Sequence, residues 1–172
     1  MVRQRSDELT WVDFIPPSAA GVLTLAAIAL CVLNYNLYDI HWLMYLGWAV
    51  WAIGFILCMT PMSMLRRRGG VGEGDSWVKT TVVVDSGPYA VVRHPIYVGW
   101  GVMVIALTLI SQYWVVAVLV GVAVPLVYFD ILREDRDNIV KFGDSYIEYR
   151  RRVPQVNFVW GAVRWILKKA RR

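Results

Sequence analysis

Cysteine and histidine are scarce in this chain, with two of each among 172 residues. Cys31 and Cys58 are far apart and form no CxxC pair, which argues against a disulfide framework and against a thiolate metal site. We expect both cysteines to be small apolar packing residues. His41 is expected to be an interfacial residue at the start of the second span, and we predict no bound metal ion.

Charged residues are also few, at 18% of the chain, whereas apolar residues reach 58%. An ordinary soluble domain is about 45–50% apolar and about 25% charged, so this composition indicates a membrane protein. A helix needs roughly 20 mostly apolar residues to span a bilayer. Four segments reach or approach this length and are predicted to be transmembrane helices: 17–33, 42–62, 96–110 and 113–132.

Lysine and arginine are absent from two short connections, 34–41 and 111–112. With four spans, all 18 basic residues fall on one side of the membrane, and the positive-inside rule makes that side cytoplasmic. Acidic residues flank the first span, which is therefore interpreted as retained rather than as a signal peptide. Both termini are predicted to be cytoplasmic, in the cell membrane of a prokaryote or the endoplasmic reticulum of a eukaryote.

The net charge of +5 at neutral pH raises the question of an anionic partner. The basic residues lie at predicted membrane boundaries, so anionic lipid headgroups are expected as partners and nucleic acid is not. The glycines of 66–76 match neither GxxxxGK[ST] nor a framed GxGxxG, so a basic turn and a loop are expected there.

The chain after the fourth span is polar and then amphipathic. Phe142-Gly143 is typical of a helix bend or C-cap, and a second short helix over 144–153 is expected to stop at Pro154. From Phe158 onward the tail is basic and amphipathic, as in helices that lie in the membrane interface. The expected fold is an all-α polytopic membrane protein. It forms one domain over 1–172, with two spans in 1–62, a core in 79–154 and an interfacial tail in 155–172.

Arg93 and His94 precede Pro95 at the predicted start of the third span. Proline is well tolerated in the first helical turn, and a helix N-terminus favours anions. Antiparallel packing of the third and fourth spans brings Glu134 and Asp135 close to this entry. Because ionisable residues near a membrane are costly, these four side chains are candidates for a functional site. Their charges suit S-adenosylmethionine, which carries a carboxylate, ribose hydroxyls and a sulfonium.

Two motifs resemble a known group of enzymes. GPYAVVRHPIYVGW is similar to the G-x-Y-x-x-x-RHP-x-Y-x-G element of the isoprenylcysteine carboxyl methyltransferase and phospholipid methyltransferase superfamily. REDRDNIVKFGDSYIEYRRRVP is similar to the superfamily's R-E-E…FG-x-x-Y-x-x-Y-x-x-x-VP element. The resemblance covers about 79–154. Asp135 stands in place of the commoner second glutamate, and Asn138 in place of a frequent leucine.

The resemblance implies an S-adenosylmethionine-dependent methyltransferase whose lipid-like or prenylated acceptor enters from the bilayer. It implies cofactor binding at the following residues: Tyr89, Arg93, His94, Pro95, Tyr97, Gly99, Glu134 and Asp135. The predicted catalytic residues are Arg93, Glu134 and Arg152. A carboxylate acceptor would need a cation such as Arg152 or Arg93, whereas an amine acceptor would need a base; both stay open. The alternative functions are a nicotinamide-dependent reductase of the sterol-reductase type and a non-enzymatic membrane scaffold or transporter subunit.

Overall fold

The computed structural model describes residues 11–76 and 78–170. Within these residues all regular secondary structure is helical, which confirms the expected all-α membrane class. The helices are α1 Trp11–Leu33, α2 His41–Arg68, α3 Pro88–Val91, α4 Pro95–Ser111, α5 Trp114–Phe142, α6 Asp144–Arg152 and α7 Phe158–Ala170.

Four of these helices, α1, α2, α4 and α5, coincide with the four predicted spans. By length and composition, α2 and α5 are able to cross a membrane, while the apolar stretches Ser18–Leu33 and Pro95–Ser111 are shorter. The 17 residues of α4 give about 26 Å of helix, slightly less than the roughly 30 Å of a hydrocarbon core. Crossing by all four helices therefore stays a prediction.

The main helix pairs are α2 with α4 and α1 with α5. Glycines allow the first pair to approach closely, as is common between membrane helices. A Cβ atom placed on Gly54 of α2 would lie 2.8 Å from the carbonyl oxygen of Gly99 in α4, and one on Gly99 would lie 2.7 Å from the backbone nitrogen of Cys58. The backbones of α2 and α4 are thus in contact near the start of α4.

Gln112 joins the two short connections at one end of the bundle. It adopts a left-handed backbone conformation with φ of 58°, and its Nε2 donates to Asn36 Oδ1 at 2.6 Å and to the carbonyl oxygen of Ile40 at 2.9 Å. The opposite ends of α2, α4 and α5 carry the connection that contains α3, together with helices α6 and α7. The described basic residues therefore lie at one end of the bundle, and the assignment of this end to the cytoplasmic side stays a prediction.

Helix α5 extends well beyond its apolar part. Its 29 residues give about 43 Å of helix, so the turns after Leu132 project past a hydrocarbon core of roughly 30 Å. Gly143, with φ of 57°, ends α5 and begins α6, and α6 stops at Arg152 before Pro154. The predicted bend at 142–143, the short second helix and the helical tail are confirmed.

Candidate active site

The site begins at the N-terminus of α4. Pro95 is the first helical residue and His94 is the N-cap, which confirms the predicted placement of the Arg-His-Pro segment. The backbone N–H groups of Arg93 and His94 donate to the carbonyl oxygens of Pro154 at 2.9 Å and Gln155 at 3.2 Å. The connection between α6 and α7 is therefore hydrogen-bonded to the chain that enters α4.

Asp135 is the centre of a buried hydrogen-bond network. Its Oδ2 accepts from Arg93 Nη1 at 2.7 Å and from Gln155 Nε2 at 3.1 Å. Its Oδ1 lies 2.8 Å from His94 Nε2 and accepts from the hydroxyl of Tyr146 at 2.6 Å. A carboxylate offers about four acceptor positions, and these four contacts use them. Asp135 is therefore bound by four protein groups, and its predicted contact with a cofactor stays a prediction.

The same contacts determine the charge of Asp135, which lies beyond the apolar part of α5. Burial by itself would raise the pKa of this carboxyl, but the hydrogen bonds from His94 and Tyr146 and the charge of Arg93 lower it to about 2. Burial and the bond to Asp135 raise the pKa of Tyr146 above its usual range. At neutral pH the network thus pairs an aspartate anion with a neutral tyrosine donor.

Glu134 differs from its neighbour because consecutive helical residues point in different directions. Its side chain is 44% exposed and its Oε1 lies 3.9 Å from His94 Nδ1. When His94 carries its proton on Nε2 and donates it to Asp135, its Nδ1 is an acceptor. Glu134 and Nδ1 together can then accept hydrogen bonds from an ammonium or hydroxyl group.

These side chains line a cavity of about 560 Å³, which is a usual size for a small-molecule site. One part of the wall is polar and carries Arg93, His94, Glu134, Asp137 and Asn138. Another part is apolar and carries Leu65, Val82, Val83, Ile96 and Phe142. The cavity therefore offers charged and apolar contacts side by side at the end of the helix bundle.

The structure brings most of the predicted site residues together. The following predicted residues line the cavity: Tyr89, Arg93, His94, Pro95, Tyr97 and Glu134. Gly99 instead packs α4 against α2. Arg152 lines two neighbouring cavities, is 47% exposed and lies 3.8 Å from Asp85. The functional roles of all these residues stay predictions.

Sequence reasoning missed Gln155. Its side chain donates a hydrogen bond to Asp135, and its carbonyl oxygen accepts one from the backbone of His94. Gln155 directly follows the second motif and is not part of it. Tyr146 belongs to the second motif but was given no role there, and its hydroxyl donates a hydrogen bond to Asp135. The repeated tyrosine spacing in the second motif was the available signal for Tyr146, and no pattern pointed to Gln155.

Comparison with known proteins decides the family. A family model described as phospholipid methyltransferase matches residues 42–138, which is more than half of the chain. This chain belongs to the phospholipid methyltransferase family. The matched region contains the Arg-His-Pro segment, Glu134 and Asp135, so the superfamily predicted from the motifs is confirmed. No curated protein and no solved structure matches the chain.

Membership of the phospholipid methyltransferase family gives this chain the general activity of a membrane methyltransferase that acts on lipid-like substrates. This agrees with a cavity whose walls are partly charged and partly apolar. Methyl transfer is thus favoured over the reductase and scaffold alternatives. The methyl donor, the acceptor and the roles of single residues belong to the proposal that follows.

Proposed function

We propose that this phospholipid methyltransferase family member transfers a methyl group from S-adenosylmethionine to a lipid headgroup at the cytoplasmic face of its membrane. The observation that carries the proposal is the cavity at the start of α4, where Arg93, His94 and Glu134 face apolar side chains. A charged, water-soluble donor and a lipid-like acceptor require these two kinds of wall in one site.

The polar wall fits the functional groups of S-adenosylmethionine. A carboxylate suits the positive end of the α4 dipole and the guanidinium of Arg93, whose buried Nε has no hydrogen-bond partner among the described residues. An ammonium or ribose hydroxyl suits Glu134, and also His94 Nδ1 when the ring carries its proton on Nε2 alone. When bound, the donor supplies an electrophilic methyl group on its sulfonium.

The protein residues then have two tasks in an in-line displacement, which are to align the reactants and to exclude water. An ionised carboxylate acceptor, as in an isoprenylcysteine, needs no base. An amine acceptor must lose a proton, and Glu134 faces the cavity and is able to accept it. The description of the family as phospholipid methyltransferases favours a phospholipid headgroup over isoprenylcysteine.

The cytoplasmic location rests on the charge distribution. Arg66, Arg67 and Arg68 end α2 at the same end of the bundle as the cavity, and such charges mark the cytoplasmic side. Single cysteines introduced at exposed Tyr38 and exposed Ser76 test this location in intact membranes. A membrane-impermeant thiol reagent added from outside should label Tyr38→Cys and leave Ser76→Cys unlabelled. The reverse pattern would mean that the protein has the opposite orientation in the membrane.

Calorimetric titration of the purified protein in detergent tests the choice of cofactor. We expect binding of S-adenosylmethionine and of its demethylated product, and no binding of reduced nicotinamide dinucleotides. Binding of the nicotinamide alone would overturn the proposal in favour of a reductase. Gly101→Ala is a suitable control variant, because a Cβ atom at this position would meet no other atom within 4 Å.

A further inference from the structure

A second cavity, of about 510 Å³, lies between α6, α7 and the segment before α3. It is separate from the cavity at His94, although Tyr149 lines both. The cavity is strongly basic, since four of its lining residues are cations and one is an anion: Arg152, Arg164, Lys168 and Lys169, with Asp85. Neither the family nor the proposed methyl transfer accounts for this concentration of charge.

The orientation of α7 places Arg164, which is half-buried, and Lys168, which is exposed, at the cavity wall. Gly161 packs so tightly on α3 that a Cβ atom there would collide with the carbonyl oxygen of Val91. Arg164 and Lys168 follow Gly161 by three and seven residues and therefore share its helix face. Both line the cavity, whereas solvent-facing lysines of an ordinary amphipathic helix point away from the protein.

One nitrogen of these cations has no hydrogen-bond partner among the described residues. Arg164 Nε is buried and has no hydrogen bond to any of the residues that the structure describes. A buried, unpaired donor is costly unless a ligand or water satisfies it. Arg152 is partly neutralised by Asp85 at 3.8 Å, so Arg164 and Lys168 carry the uncompensated charge. The cavity is therefore prepared for an anion that accepts several hydrogen bonds.

The other face of α7 indicates where that anion would come from. Val159, Val163 and Ile166 are exposed apolar residues at spacings of four and three, so they form one stripe opposite Gly161. A short amphipathic helix of this kind lies in the membrane interface with its apolar face in the acyl region. The basic cavity on its inner face then lies at the depth of the lipid phosphates.

We propose that the cavity between α6 and α7 is a binding site for the phosphate group of an anionic phospholipid, distinct from the methyl-transfer site. A phosphate provides the several acceptor oxygens that Arg164 Nε and the neighbouring ammonium groups require. The proposal does not depend on methyl transfer, because it concerns binding alone and uses residues outside the first cavity.

Native mass spectrometry of the full chain, released from neutral detergent, tests the site. The ligand is a short-chain phosphatidic acid, and the two compared variants are Arg164→Gln/Lys168→Gln and Arg150→Gln/Arg151→Gln. Both variants lose two positive charges, but Arg150 and Arg151 are exposed and do not line the cavity. We expect the first variant to bind the lipid at least about tenfold more weakly and the second to bind it within about twofold of the wild type.

If both variants lose lipid affinity equally, only the overall charge attracts the lipid. If neither variant loses affinity, the cavity is not a lipid site. Either result overturns the proposal. If the double variant does not fold, Lys168→Gln alone, at an exposed position, should weaken binding in the same direction. Competition with inorganic phosphate distinguishes the source of the anion. If inorganic phosphate displaces the bound phosphatidic acid when both are at equal concentrations, the lipid assignment is overturned. If inorganic phosphate does not displace it and a second anionic phospholipid does, the assignment is supported.

Discussion

Asp135 holds His94 through a 2.8 Å contact between Oδ1 and Nε2, and both side chains are almost completely buried. The contact directs the other ring nitrogen, Nδ1, toward Glu134 at 3.9 Å. His94 thus lies between two carboxylates of very different exposure. Under the proposed function, Asp135 orients the histidine ring and Glu134 contacts the reactants.

Replacement of Asp135 tests the orienting role. In Asp135→Asn the buried guanidinium of Arg93 loses its partner, which lies 2.7 Å away with both side chains less than 9% exposed. We expect a loss of about 3–5 kcal/mol in the free energy of unfolding, as for a broken buried ion pair. Asp137→Asn is the control, because Asp137 is 72% exposed and its ion pair with Arg133 is long, at 4.0 Å. This substitution should lower the free energy of unfolding by less than about 1 kcal/mol. Similar losses in thermal unfolding would contradict the assignment.

The lowered pKa of Asp135 predicts a particular acid sensitivity. Its pKa is about 2 in the folded protein and near 4 in the unfolded chain. The stabilisation, about 2.5 kcal/mol in total, is therefore fully present above about pH 5 and is lost as the pH falls through 2. Unfolding measured from pH 7 down to pH 2 checks this, and Asp135→Asn should show a smaller decrease. An equal decrease in the variant would assign the acid sensitivity to other carboxyl groups.

Glu134 and His94 should affect binding of the methyl donor. Loss of one charge-assisted hydrogen bond in His94→Ala or Glu134→Gln is expected to weaken S-adenosylmethionine binding by about 1–3 kcal/mol. Glu134→Gln should do so without loss of stability, because its side chain is 44% exposed. Arg152→Ala should leave this affinity unchanged, since Arg152 lies outside the cavity lining. Calorimetry on the three variants decides the matter, and a loss at Arg152 equal to that at His94 would indicate one shared site.

The glycine contact between α2 and α4 predicts that alanine substitutions at two glycines of α4 have opposite effects on stability. Gly99→Ala places a Cβ atom 2.7 Å from backbone atoms of α2 and should cost about 1–3 kcal/mol, as in other overpacked contacts. Gly101→Ala meets open space and should be neutral or slightly stabilising, because alanine favours a helix over glycine. Thermal unfolding in detergent measures both. Equal effects would mean that helix propensity matters more than the close approach.

The sequence predicted the four apolar helices, the helical C-terminal region and the meeting of Arg93 with Asp135. These follow from hydrophobic length, from Pro95 and Gly143 as helix punctuation, and from antiparallel packing of neighbouring spans. It did not distinguish Asp135 from Glu134, because only the rotation of α5 against α4 decides which carboxylate is buried. Gln155 and the cavity-lining cations of α7 depend on contacts between distant segments, which periodicity within one segment does not contain.

Methyl transfer itself is the most direct test of the proposed function. The purified protein is reconstituted in vesicles of mixed phospholipids and supplied with S-adenosylmethionine that carries a labelled methyl group. We predict that label appears in a phospholipid headgroup with the wild type, falls at least about tenfold with Glu134→Gln, and is retained with Arg150→Gln/Arg151→Gln. Absence of label from every phospholipid, with label instead in an added isoprenylcysteine or with oxidation of a reduced nicotinamide, would contradict the account.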